Sequence, residues 1–369
     1  MSLLKSIKRN LINVRGVRTD RKLLVIESDD WGSIRMPSKD VLERLRADGC
    51  NPESDPYLAY DSLESNADME GILDVLSNVK DSRGRHAVLT ANAVVANPDF
   101  ERIRQSDFQE YHYEPFTSTL KRYPFSDNVL QLWKKGIQMG VFIPQFHGRE
   151  HLHVGQWMND LRENLPLLKK AFDLEMLSIS SVPGRLRFSY MEGMDHFSEQ
   201  ERLAKKDILE SGHRLFTEIV GYPSKSFIAN CYIWDHTVEE VLKGQGIKLM
   251  QGILNQIQPI GNGKHILVKH FMGQKSKQGM TYSIRNVFFE PTLQSGLDWI
   301  DEAMARINIA FLWKKPAIIG SHRLNYIGSI NENNRSKNLK LLSTLLQRVA
   351  KQWPDIEFIS SADLADEIS

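Results

Sequence analysis

Short apolar runs alternate with helix-period stretches along most of the chain. Lys22-Leu23-Leu24-Val25-Ile26 is continuously apolar after its lysine, the pattern of a strand buried on both faces. Similar runs stand at 86–91, 141–144, 226–229, 247–250, 265–270, 287–289, 316–320 and 356–359. Between them, apolar residues recurring every three or four positions predict helices over 69–79, 128–140, 154–172, 198–219, 237–242, 293–312 and 331–353. A further helical pattern opens at Pro37-Ser38 and runs through Val41, Leu42 and Leu45. Ser198-Glu199-Gln200-Glu201 has the form of a capping box, and Gly140 suits the residue just past a helix end. Such alternation predicts a parallel sheet covered by helices, and about seven or eight βα units favour a closed barrel over an open sheet.

Two stretches break the rhythm. Residues 50–65, rich in Asp, Pro, Ser and Tyr, read as a loop. Residues 100–125 form a long connection carrying Phe108, Tyr111, Tyr113, Phe116 and Tyr123. A connection of that length is either a lid or a packed excursion, and packing is the favoured reading. The expected organisation is a basic extension over 1–20 and one domain over 21–369, with an insertion around 95–126. The first residues are basic and mildly amphipathic, but they lack the apolar core of a signal peptide. No stretch approaches the ~20 apolar residues of a membrane span. The expected compartment is the cytoplasm, with the basic start read as a solvated helix rather than a membrane contact.

Composition narrows the chemistry. The formal net charge is +1, which gives no electrostatic case for a nucleic-acid partner. Cys50 and Cys231 are the only cysteines, so neither a disulfide framework nor a cysteine-rich zinc site can be built. Any metal must be held by His, Asp or Glu.

Three strand ends carry such residues. The run 22–26 ends in Glu27-Ser28-Asp29-Asp30-Trp31-Gly32. Functional groups of α/β proteins cluster at such places, and carboxylates directly after a buried strand need partners, which weakens the alternative of a solvated acidic turn. The run 141–144 leads into Phe146-His147-Gly148-Arg149-Glu150-His151. If this segment is helical, the two histidines share a face and both imidazoles reach one cation; otherwise it is a polar helix start. Neutral imidazole suits zinc, cobalt, nickel or iron. The run 316–320 delivers Ser321-His322-Arg323.

In that order, the three segments resemble the NodB-like polysaccharide deacetylases, carbohydrate esterase family four. The Asp-Asp pair of that family is matched by Ser28-Asp29-Asp30-Trp31-Gly32, its His-x-x-x-His by His147 to His151, and its late histidine by Ser321-His322. The resemblance implies a distorted (β/α)7 TIM-like barrel and one divalent metal ion, zinc foremost, held by Asp30, His147 and His151. It implies that Asp29 is the general base, that His322 is the general acid, and that metal-bound water attacks an acyl carbon. The implied substrate is a carbohydrate or a related small acylated amide. There are departures. After Gly221-Tyr222-Pro223-Ser224-Lys225-Ser226-Phe227, Ile228-Ala229-Asn230 replaces the Arg-Pro-Pro of the family, and its Asp-Trp motif has no match near Met250-Gln251-Gly252. Arg149, Arg323 and Asn325 are candidates to stand in for the absent arginine or to touch substrate, with a place behind the ligands or on the surface as the alternative. Trp31 and Trp234 are candidates for sugar stacking, with core packing as the alternative. The chain reads as a divergent member whose substrate need not be a polysaccharide. Another metal-dependent barrel hydrolase, cutting a glycosidic or cyclic amide bond, and a non-catalytic carbohydrate-binding protein are the other readings.

Overall fold

A computed structural model describes residues 3–179 and 190–368, so most of the loop expected at Ser178–Gly184 lies outside the described residues. Thirteen strands occur in chain order among them. They are β1 (Lys22–Trp31), β2 (Leu89–Ala93), β3 (Ala96–Pro98), β4 (Tyr113–Pro115), β5 (Phe142–Phe146), β6 (Ser226–Ile228), β7 (Leu249–Gly252), β8 (Asn255–Pro259), β9 (His265–Lys269), β10 (Thr281–Ile284), β11 (Val287–Phe288), β12 (Ala317–His322) and β13 (Ile356–Phe358). The main sheet has the order β10-β7-β6-β5-β2-β1-β12-β11, every pairing parallel, with β13 beside the first residues of β1.

The two ends of that order are neighbours in sequence. Only Arg285 and Asn286 separate β10, which pairs with β7, from β11, which pairs with β12. One run, Thr281–Phe288, therefore bridges the gap between the first and last strands. Asn286 sits at the bend and ties it down, donating to Pro316 O at 2.9 Å and accepting from Ile318 N at 2.8 Å. Counted this way the sheet is a seven-staved barrel, with a distortion where the closing stave changes partners. The (β/α)7 expectation holds.

Helices cover the outside because their apolar stripes match the outer faces of the strands. Met69, Ile72 and Leu76 of Asn66–Ser77, Leu132 and Trp133 of Val129–Gln138, and Leu342, Leu345 and Leu346 of Glu332–Gln352 join Leu24, Ile26, Phe142 and Ile319 in the largest core cluster. No helix among the described residues is long and apolar enough to cross a membrane.

Some expectations are corrected. The helix expected over 154–172 is two helices, Val154–Arg162 and Pro166–Asp173, divided where Asn164 is left-handed (φ 59°) and Pro166 starts a new first turn. The run 265–270 is no barrel stave. It forms β9 of an antiparallel hairpin with β8, and the barrel position goes to the less apolar Thr281–Ile284. The aromatic insertion packs rather than closing as a lid. Phe108 lies against Phe172 and Tyr111 against Trp157, ring centroids 5.1 and 6.5 Å apart, and no insertion residue lines the cavity described below.

Candidate active site

Neighbouring residues of a strand normally face opposite sides, so Asp29 and Asp30 should diverge. Two features bring both to the barrel mouth. The β1–β2 register slips between Ser28 and Trp31, and Asp30 is left-handed at φ 77°. A bulge with a non-glycine residue at positive φ is strained, and such strain concentrates at functional sites.

The histidine pair is reached differently from the sequence expectation. Residues 147–153 are a loop, and the helix begins only at Val154. Gly148 at φ 116° turns the chain directly after His147, a conformation that an L side chain resists. Gly212 lets the helix Glu199–Val220 lie close beneath: a Cβ there would meet Arg149 Cβ at 2.8 Å. The loop brings His151 back so that its Nε2 stands 3.3 Å from Asp30 Oδ1, with His147 Nε2 at 3.5 Å from the same oxygen.

These three buried groups can hold a metal ion, their ligand atoms all lying within 4.8 Å of one another. Asp30 Oδ1 has no hydrogen-bond partner although it is buried, which is costly unless something charged lies against it. His147 Nδ1 lies 2.8 Å from Ile228 O, the outer-shell contact that presents the Nε2 lone pair inward. The Asn230 amide nitrogen lies 3.4 Å from that Nε2, a long contact. Burial, opposed by Asp30, lowers the His151 pKa to about 3 and keeps the ring neutral, as a ligand must be. Around the mouth, Glu27, Asp29, Asp30, Asp61, Glu64 and Glu290 pair with Arg35, Arg285, Arg323 and His322. The residues fit a metal.

Asp29 is gripped from two sides. Arg285 donates Nη1 to its Oδ2 and Nη2 to its Oδ1, both at 2.7 Å, and Nε to Glu27 at 2.7 Å. Asn92 donates to Oδ1 at 2.8 Å. Burial pushes the Asp29 pKa up, but Arg285, with His322 and His147, outweighs it and holds the carboxyl down to about 2. Arg285 reaches Asp29 from the bend between β10 and β11. His322, at the end of β12, has Nε2 3.8 Å from Asp29 Oδ2 and Nδ1 2.7 Å from Glu290 Oε1. Glu290 is fixed in turn by Asn325, which donates to its other oxygen at 2.7 Å. Burial disfavours the imidazolium, but Glu290 and the two aspartates override it and raise the His322 pKa to about 9.

That shift carries a prediction. An imidazolium with a raised pKa keeps its proton until the pH passes about 9, so any reaction needing this proton declines there rather than near the ordinary ~6.5. Glu290→Gln removes the largest favourable influence and should move the alkaline limb of the pH–rate profile to lower pH. An unmoved limb would show that another group sets it.

Sequence reasoning missed Arg285 and Glu290. Five residues proposed for substrate contact or for replacing the arginine do not reach the cavity. Trp31 is fully buried, donates to Ser28 Oγ at 3.0 Å and packs edge-on against Phe142. Arg149 turns outward to Glu150 at 2.7 Å and Ser211 at 3.0 Å and lies over the Tyr113 ring. Arg323 is buried between Asp61 and Glu64, and Glu64 in turn accepts from Gly32 N at 3.2 Å, so it braces the acidic loop from behind. Asn325 holds Glu290. Trp234 is also core, donating to Glu239 at 2.9 Å.

The mouth opens into a cavity of about 450 Å³. Asp29, Asp30, His147, His151 and His322 form its floor, and Ile34, Leu58, Leu177 and Met191 are among its apolar walls.

No family model matches the chain, and a search of curated proteins finds no match. Solved structures do resemble it. A probable polysaccharide deacetylase from Pseudomonas aeruginosa PAO1 aligns at 9% identity over 94% of this chain and 91% of its own, with a TM-score of 0.49. The Puue allantoinase aligns at 11% identity over 95% and 93%, TM-score 0.44. The Xyl-CE4 domain of a multidomain xylanase from the hindgut metagenome of Trinervitermes trinervoides aligns at 11% identity over 94% and 91%, TM-score 0.40. The acid pair, the histidine pair and the late histidine each stand at the carboxyl end of a stave of one seven-staved parallel barrel.

Proposed function

We propose that the protein is a metal-dependent hydrolase that removes an acyl group from an amino sugar or a related small amide or ester. One observation carries this reading: Asp29, locked by Arg285, faces His322, locked by Glu290, across the mouth that also holds Asp30, His147 and His151. Two titratable groups pushed to opposite ends of the pH scale a few ångströms apart are the arrangement of a base and an acid.

A divalent cation held by Asp30, His147 and His151, zinc foremost, supplies Lewis-acid chemistry when bound, polarising an acyl oxygen and acidifying water. The chain's own groups do the rest. Asp29, ionised at any physiological pH, accepts the proton of the attacking water, while Arg285 and Asn92 keep its carboxylate plane fixed. His322 carries a proton on Nε2 and delivers it to the departing nitrogen or oxygen, with Glu290 on Nδ1 fixing the ring. The apolar cavity walls limit the water that competes for these groups.

The test is metal analysis joined to acyl release. Purified protein should carry about one transition-metal ion per chain. Asp30→Ala and His151→Ala should each abolish it, and metal-loaded protein should release acetate from N-acetylated amines. Metal content unaffected by either substitution overturns the site assignment. Reducing-sugar release in place of acetate points instead to glycosidase chemistry.

A further inference from the structure

Arg35 lines the cavity and the mechanism does not use it. It is 9% exposed, and among the described residues it is the only arginine or lysine in the cavity wall. An arginine so buried ordinarily spends its fork of donors on oxygen acceptors. This one spends only part of it. Nη2 donates to Asp30 Oδ2 at 3.1 Å, Nε has no hydrogen-bond partner and stands 3.6 Å from Asp61 Oδ2, and Nη1 meets only the Met191 thioether. Thioether sulfur is a weak acceptor on a flexible side chain, easily displaced by an oxygen anion. The guanidinium carbon lies 5.3 Å from the Tyr57 ring centroid, and that ring holds the plane in place.

We propose that Arg35 is the anchor for a carboxylate on the substrate, and that the site takes a small N-acyl amine bearing that carboxylate near the scissile bond. N-acyl amino acids with apolar side chains are the fitting class. This rests on the hydrolase reading of the same site. Three observations set the class. The Nη1 donor points where a carboxylate oxygen would replace Met191 Sδ. Arg35 bonds Asp30 directly, so an anion on Arg35 lies one side chain away from the group of Asp30, His147 and His151, which limits the distance between carboxylate and acyl carbon. A cavity of about 450 Å³ with Ile34, Leu58 and Leu177 in its walls suits a small, partly apolar molecule rather than a polymer strand.

Titration calorimetry on the zinc-loaded full chain tests this with N-acetyl-L-methionine and its C-terminal amide, which differ in the carboxylate alone. The acid should bind about tenfold or more tightly than the amide, as a charge-assisted pair with arginine provides. Arg35→Gln should bring the two within about twofold, and Arg35→Lys should restore part of the gap. Because Arg35 touches Asp30, the zinc content of each variant is measured alongside. Should Arg35→Gln fail to fold or to load zinc, the wild-type pair decides alone. Equal binding of acid and amide, no binding of either, or tighter binding of N-acetylglucosamine than of N-acetyl-L-methionine overturns the proposal. Acetate release separates the two readings. Preference for the acid without turnover of any compound keeps the carboxylate anchor and sinks the hydrolase, whereas turnover without preference does the reverse.

Discussion

Arg285→Ala is expected to destabilise the protein by about 3–5 kcal/mol at neutral pH in urea unfolding, and to lower turnover by about 100-fold or more. The residue is 1% exposed and makes three hydrogen bonds of 2.7 Å to two buried carboxylates. Removing it leaves Glu27 and Asp29 without their shared counter-charge, and an uncompensated buried charge is among the few single changes of that size. The pH dependence gives a second reading. Asp29's folded pKa, about 2, lies below the unfolded value of ~3.9, so in the wild type this group contributes stability that is present above ~3.9 and lost as the pH falls through about 2. Without Arg285, burial dominates and the pKa rises above ~3.9. The folded variant then binds the extra proton, and its stability increases as the pH falls. The gap between variant and wild type should narrow from pH 7 to pH 4. A gap under about 1 kcal/mol, or one that widens on acidification, would refute this account. Arg285→Lys, able to meet only part of the constellation, should fall between.

Asp29→Asn separates the two adjacent acids. The amide keeps the shape of the side chain but cannot accept a proton in the reaction, so kcat should drop by about 10²–10⁴ while the bound metal stays. Asp30→Asn should instead lose metal and turnover together, because its unpartnered Oδ1 is the oxygen facing His147 and His151. Elemental analysis alongside single-turnover acyl release distinguishes the outcomes. If Asp29→Asn keeps kcat within tenfold of wild type, Asp29 is not the base. If it sheds the metal, the division of labour between the two acids is wrong.

Much of this site was legible in the sequence, for local reasons. A strand buried on both faces announces itself as an apolar run, and the polar residues after it mark the barrel mouth. Asp29, Asp30, His147, His151 and His322 all stand at such positions. The conformation that joins them was not legible. The i,i+4 spacing suggested a helix, but the pair is joined by a loop turned at Gly148. Arg285 was invisible for a different reason. It follows Thr281-Tyr282-Ser283-Ile284, too mixed to read as a buried strand, and its partner Asp29 lies 256 positions earlier. Glu290 is hidden likewise, 32 residues before the histidine it orients. The substrate-contact guesses failed because sequence neighbours of a site residue can point away from it. Trp31 follows Asp30 and faces the core, and Arg323 follows His322 and braces the loop from behind.

The seam beside β1 has a temporal side. Leu24 of β1 pairs with Ala317 of β12, roughly 290 residues later, and β13 comes later still. At about 5–20 residues per second, the ribosome adds that stretch in roughly 15–60 seconds. For that interval the first stave has one flank without its partner, an exposed edge able to pair with other nascent chains. The hairpins and βα units in between can form early, but the catalytic mouth cannot, since Asp29 and His322 meet across this last seam. The site is therefore completed only after β12 has been made, and overproduction faster than chaperones can shield that edge should yield aggregate.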